Sequence, residues 1–211
     1  TFLNNGVLAV AASNSLGSGV SGNTLVLNGG TLRATSGFAM SRAVTLNFNG
    51  GTFQVDNGTL ELGGLVGGSY GALKKTGAGT LLLSNTNLFN GPVIISEGTL
   101  KMGSASPLGI SSTVANRSIS PVTVEAAGVL DLAGQTNFIG AFTLDGGRVA
   151  DSVGGGQLGA YRFTLQSGLV EAVLTDVVVP NASNPSHSIN LYKRTSGNAD
   201  RKSTRLNSSH T

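Results

Sequence analysis

Three short stretches of this chain have residue types and spacings that chemistry can use. Gly17-Ser18-Gly19-Val20-Ser21-Gly22 fits GxGxxG, where glycines let backbone N–H groups approach a pyrophosphate at a helix N-terminus. That use requires a strand before the glycines and a helix after them, whereas Asn23–Leu27 returns directly to a strand pattern, so the nucleotide reading fails. Gly67-Gly68-Ser69-Tyr70-Gly71 fits GxSxG. A serine nucleophile there needs a histidine to take its proton and an acid to orient that histidine. The only histidines are His187 and His210, and no helical pattern follows Gly71. Gly146-Gly147-Arg148-Val149-Ala150-Asp151 is similar to the calcium-binding GGxGxD unit, but Val149 replaces an essential glycine and no tandem copy follows. Such ions are shared between tandem turns.

The carboxylates Glu97, Glu125, Asp131, Asp145, Asp151 and Glu171 are the remaining candidates for chemistry. Acids converging with basic groups would suit cleavage of a polysaccharide, and three or more carboxylates in one cleft would favour that reading. Lys101, Asp131 and Glu171 instead fall at outward strand positions, where mixed charge predicts a solvated face, with Arg33 exposed in the same way. Lys74-Lys75 and Lys193-Arg194 read as turn residues rather than a phosphate patch. Asn57-Gly58-Thr59, Asn116-Arg117-Ser118 and Asn181-Ala182-Ser183 fit the glycosylation acceptor pattern. No catalytic residue, cofactor-binding residue or metal ligand is assigned, no cofactor is expected, and the chain reads as a non-enzyme.

The elements that must carry these residues are short strands. Glycine accounts for 32 of 211 residues, charged residues for 11% and aromatics for 5%, a balance that suits tight turns and many strands. Apolar residues at helical spacing are missing. There is no cysteine, which excludes disulfides and thiolate metal sites. Nothing approaches the roughly 18 apolar residues of a membrane span, so direct membrane insertion of this segment is not expected. The chain begins at Thr1 rather than methionine and reads as a piece of a longer protein, with any signal peptide upstream.

A glycine followed by an apolar-polar-apolar run recurs at Gly6, Gly30, Gly51, Gly58, Gly79, Gly98, Gly128, Gly147 and Gly168. Two residues on stand Leu8, Leu32, Phe53, Leu60, Leu81, Leu100, Leu130, Val149 and Val170, all apolar. Four residues on, only Asp151 breaks the apolar series. This alternation predicts strands buried on one face. Most intervals are 19 or 21 residues, and the longer gap from 98 to 128 places a looped insertion at Ser104–Ser120. A period of that length is one turn of a solenoid. Strand patterns also precede many of the glycines, at Leu25–Leu27, Val44–Phe48, Val93–Ile95, Val122–Val124, Phe142–Leu144 and Phe163–Leu165. The unit is therefore strand, glycine turn, strand and variable loop. Asn28, Asn49, Ser96, Asp145 and Gln166, each two before a glycine, are expected to stack as a polar ladder.

The stretch Leu73–Gly103, LKKTGAGTLLLSNTNLFNGPVIISEGTLKMG, resembles the autotransporter-associated β-strand repeat of bacterial surface proteins. Ser13–Ala34 and Ser41–Gly68 are similar to the same family, Phe142–Gly168 more loosely so, and Leu191–Ala199 echoes Leu73–Gly79. Phe89 stands where the family shows tyrosine, and Pro92 departs from the pattern at the start of a strand. The resemblance implies an all-β, right-handed parallel β-helix (β-solenoid) over residues 1–199, open at both ends because neither end reads as a cap. It implies a surface-exposed or secreted, outer-membrane-associated passenger with a C-terminal translocator barrel elsewhere in the protein. The role it implies is a stalk that folds progressively and displays a tip. The alternatives are an adhesin binding a glycan or host protein through a face or the Ser104–Ser120 loop, and a polysaccharide-acting enzyme.

Asp200–His210 reads DRKSTRLNSSH, which matches codon for codon the translation of a sequencing-library adapter, so residues 200–211 read as a non-native tail. Without Asp200, Arg201, Lys202 and Arg205 the basic count falls from 13 to 10, the acidic count from 10 to 9 and the net charge from +3 to +1. The apparent basic tail thus supplies no case for nucleic acid as a partner. A sequence never selected against the rungs should pack on nothing. A chain ending at Ala199 is expected to melt at the same temperature as the full chain in a calorimetric scan, and a clear loss of stability would refute that expectation.

Overall fold

The computed structural model describes residues 1–18, 22–104, 107–108 and 120–176. Alternating apolar residues between glycine corners produce short strands that wind rung upon rung. The first rung comprises β1 (Phe2–Asn4), β2 (Val7–Val10) and a 3-10 turn (Ser13–Leu16). The second comprises β3 (Leu25–Asn28), β4 (Thr31–Ala34) and β5 (Phe38–Met40). The third has β6 (Val44–Leu46), β7 (Gly51–Val55) and β8 (Thr59–Leu62), and the fourth β9 (Val66–Gly67), β10 (Leu73–Thr76) and β11 (Thr80–Leu83). Beyond this the strands run through a corner: β12 (Val93–Met102), β13 (Val122–Asp131), β14 (Thr136–Ala150) and β15 (Gln157–Val170), followed by β16 (Val173–Asp176).

All strand-to-strand pairings among the described residues are parallel. They sort into three faces. The first is β1-β3-β6-β9. The second runs β2-β4-β7-β10 and on through the leading halves of β12 and β13. The third runs β5-β8-β11 and on through the trailing halves of β12 and β13. The all-β parallel solenoid expected from the repeat is therefore the observed architecture.

The inward residues form columns. On the third face Leu60, Leu81, Leu100, Leu130 and Val149 are register partners in turn, each with 0% of its surface exposed. On the second face Leu32, Phe53, Lys75, Ile95, Val124 and Leu144 follow one another. Phe142 and Phe163 meet edge to face at 5.8 Å and 62°, a favoured aromatic geometry. Pro92 precedes β12 at a corner, where no ladder N–H is required, and its carbonyl accepts from the Leu73 amide at 2.8 Å. Phe89, in the place of the family tyrosine, is buried.

The nine glycines are not one column. Gly6, Gly30 and Gly51 lead into the second face, and Gly58, Gly79, Gly98, Gly128, Gly147 and Gly168 into the third. The second, third and fourth rungs have three strands rather than two, and their first-face strands are short enough to read as loop in the sequence. Both glycine series put their second following residue inward, so the alternation holds across the two. Gly98 shows why a corner demands glycine: its φ is 66°, and a Cβ there would collide with the Gly77 carbonyl.

The polar ladder contracts to one link, Asn49 Nδ2 donating to Asn28 Oδ1 at 3.0 Å, because Ser96, Asp145 and Gln166 lie at the other glycine corner. Val44–Phe48 ends as a strand at Leu46, and Phe48 projects into solvent. Of the Ser104–Ser120 insertion, 105, 106 and 109–119 lie outside the described residues, as do Asn181, His187, Lys193-Arg194 and the tail. Leu108 and Ser120, at its two ends, are buried in the stack.

The fully buried Leu100 touches like residues above and below, so truncation leaves a cavity the rigid rungs cannot close. Leu100→Ala is expected to cost roughly 2–5 kcal/mol in urea unfolding, and a loss under about 0.5 kcal/mol would contradict the column register.

Candidate functional site

The acids converge at one place. Asp131, Asp151 and Glu171 line a shallow depression of about 260 Å³ on the third face, beside Val129, Arg148 and Ser152. The register explains the meeting. Lys101 pairs with Asp131, Val129 pairs with Arg148, and Asp151 and Glu171 follow the two strands that end there.

Asp131 was expected in solvent and is only 7% exposed. The reason is local: the chain after β14 folds over it. Its Oδ1 accepts from the Ala133 amide at 3.0 Å and the Ser152 amide at 2.9 Å, and its Oδ2 accepts from the Ser152 hydroxyl at 2.7 Å. Lys101 Nζ stands 3.4 Å from Oδ2, and the same nitrogen donates to Ser152 Oγ at 3.2 Å. Asp151, the one break in the apolar series, closes the corner with both oxygens. Oδ1 accepts from the Gly134 amide and Oδ2 from the Gly156 amide, each at 2.7 Å. Glu171 Oε2 accepts from Arg148 Nε at 2.6 Å. Arg33 is exposed as expected and pairs with Asp56 at 2.8 Å.

These contacts decide what the acids can do. Burial works to raise the Asp131 carboxyl, but the Ser152 and Ala133 hydrogen bonds and the Lys101 charge outweigh it and hold the group below the usual carboxylate value. Burial is likewise outweighed at Asp151, by amides of the glycine loop. A general acid must keep its proton near neutrality, and these two are anions fixed in place by donors. Three carboxylates do share a depression, but each is a bracket between rungs. This geometry does not supply the acid–base pair that a polysaccharide-cleaving enzyme needs.

The motifs resolve in the same direction. Ser69 sits at a corner between Gly68 at φ 134° and Tyr70 at φ 68°, and no histidine occurs among the described residues. Arg42, buried to 5% exposure, donates to the carbonyls of Leu16, Ser13 and Gly17 at 2.9, 3.1 and 3.0 Å. The first glycine of GxGxxG thus has its carbonyl bound to a guanidinium, and β3 rather than a helix follows. At Gly146–Asp151 both Asp151 oxygens are taken, and no group of three acidic, histidine or cysteine side chains suited to a metal occurs among the described residues.

Like Arg42, the buried Lys75 and Asn87 escaped sequence reasoning. Lys75 is no turn residue: it lies in β10 with 0% exposed, between Phe53 and Ile95. Its Nζ donates to the carbonyls of Thr76 at 2.8 Å, Gly77 at 2.6 Å and, one rung on, Glu97 at 3.1 Å. The signal was parity, since Lys75 shares the inward phase of Leu73 while Lys74 takes the outward one. Asn87, also 0% exposed, accepts from the Val66 amide at 2.9 Å and donates to the Pro107 carbonyl at 2.7 Å. It carries the ladder across the first face where no strand is present.

The sequence profile of the Passenger-associated-transport-repeat matches residues 73–102, the span from β10 through β12 that holds Lys75, Gly98 and Leu100. Residues 73–102 are thus similar to a passenger repeat. The Adhesin BmaC autotransporter of Brucella suis biovar 1 (strain 1330) is 38% identical to this chain over 107 residues. That alignment takes in 50% of this chain and 3% of the relative, so the chain spans a small part of the protein it matches. No solved structure matches the chain. The buried Lys75 lies within the matched span, and the carboxylates Asp131, Asp151 and Glu171 lie further along the stack, outside it.

Burial pushes the Lys75 ammonium down from 10.5 to about 8, against the opposing charge of Glu97. Between those values the unfolded chain binds more protons than the folded one, so raising the pH favours folding. Below about 8 both states are protonated, and above 10.5 both are neutral. The stability of the chain is therefore expected to gain a rising component from pH 8 to 10.5 that is missing in Lys75→Met. Parallel pH profiles for the two proteins would contradict the assignment.

Proposed function

We propose that this chain is a rod-forming stalk segment of an autotransporter-type passenger, exposed on or secreted from the bacterial outer surface. The observation that carries the reading is the unbroken parallel register of the second face from β2 to β15. The passenger repeat at residues 73–102 and the autotransporter relative support it. The role is mechanical and non-enzymatic. A rung buries little by itself, and each docked rung presents a ready edge to the next. A chain that crosses a membrane unfolded can therefore fold progressively as it emerges, and the absence of cysteine removes any disulfide that would obstruct passage. In the full-length protein a C-terminal translocator barrel anchors the rod.

The adhesin relative favours a second reading, in which the rod surface itself makes a contact with a glycan or a host protein. It adds a ligand to the stalk and leaves the architecture unchanged.

The stalk reading predicts that length follows rung count. Deleting one whole rung, residues 59–79, should leave a folded rod shorter by about 4.8 Å in small-angle scattering. With an epitope tag and an autotransporter barrel supplied in cis, the segment should become accessible to protease added outside intact cells. A globular scattering profile, or retention of the tagged segment inside the cell, would refute the reading.

A further inference from the structure

The corner between the first and second faces presents two of the most exposed aromatic rings among the described residues, Phe48 at 79% and Tyr70 at 70%. They occupy one column. Gly51 pairs with Leu73 on one side and Thr45 with Gly67 on the other, so Phe48 and Tyr70 fall at the same place on consecutive rungs, with backbones about 4.8 Å apart. Asn90 takes the corresponding place on the next rung, and its Oδ1 accepts from the Tyr70 amide at 2.7 Å.

Stability does not explain these rings. Tyr70 has φ 68°, the left-handed region that glycine adopts without strain and a bulky residue does not. The adjoining column is Gly71 and Gly91, where a Cβ would strike the carbonyls of Asn47 and Gly71 respectively. The corner therefore excludes side chains from its inner column while holding a strained tyrosine with its ring in water.

The surroundings are uncharged. No acidic or basic residue occurs in 43–54, 63–73 or 86–96, the three stretches that build this corner. Only Leu65 and Leu88 are large exposed aliphatic side chains on the same stretches. Asn28 and Asn49 are joined amide to amide at 3.0 Å on the neighbouring turn, in the open. Aromatic faces with amides between them and no charge are the chemistry of neutral sugars: ring faces cover pyranose C–H groups, and amides pair with hydroxyls. A protein partner would instead call for a continuous apolar patch with charge at its rim. The rung repeat is close to the length of one pyranose in an extended chain, so successive sugars can meet successive rungs.

We propose that the corner of Phe48, Tyr70 and Asn90 is a binding ridge for an uncharged, linear polysaccharide lying along the solenoid axis. This rests on the adhesive reading of the segment and assigns it a surface and a ligand class. The test is affinity electrophoresis of the chain in gels containing hydroxyethylcellulose, galactomannan or dextran, with hyaluronan as the anionic control. The wild-type chain should be retarded by at least one neutral polymer and not selectively by hyaluronan. Phe48→Ala and Tyr70→Gly should each weaken that retardation about tenfold, while Tyr70→Gly, relieved of its strained backbone, melts no lower than wild type. Should Phe48→Ala melt early, the Tyr70→Gly result decides alone. Retardation unchanged in the variants would overturn the ridge and leave the adhesive reading with another surface. A wild-type chain that no neutral polymer retards, or that only hyaluronan retards, would overturn both the ridge and a neutral glycan as the ligand.

Discussion

Everything in this molecule depends on the parallel hydrogen-bond ladder between rungs. A single rung of three short strands encloses no core, and its backbone groups are satisfied only by the rungs above and below. The ladder fixes which residues lie over one another, and the apolar columns follow from it. Leucine over leucine on the third face is a consequence of register, and a slip of one residue would turn each inward side chain out. Glycine at the corners follows from the same constraint, because a stacked corner leaves room for bare backbone alone.

The buried polar groups fit this scheme. Lys75, Asn87, Asp131 and Arg42 would each be costly in an apolar interior without partners. Each is bound to backbone beyond its own strand: Lys75 to Glu97, Asn87 to Val66 and Pro107, Asp131 to Ser152, and Arg42 to the turn at Ser13–Gly17. They act where the ladder is short or a corner is wide. The charge that looked like a candidate active centre is the same device, since donors that lower a carboxylate's proton affinity also deprive it of acid chemistry.

Faces and corners therefore carry different burdens. The faces repeat because stacking demands it, and a repeated face offers little to distinguish one ligand from another. Corners tolerate variation outside the inner column, where Gly71 and Gly91 leave no room for a side chain. The aromatic residues at the first corner use this freedom, and loops and corners on a rigid scaffold are the usual place for recognition.

Period-two alternation in runs such as Gly98–Met102, with glycine every 19 to 21 residues, determined the solenoid and the inward leucines by itself, because burial parity is a local property of a strand. The passenger resemblance was legible at Leu73–Gly103 for the same reason. Parity also marked Lys75 as inward, although charge alone argued for a turn. What only the tertiary structure decided were relations between rungs. The division of nine glycines into two corners, the covering of Asp131 by Ser152, and the alignment of Phe48 with Tyr70 each join residues about one rung apart in the chain. Loop lengths between rungs vary, so no local pattern counts them. Only the ladder brings such residues together.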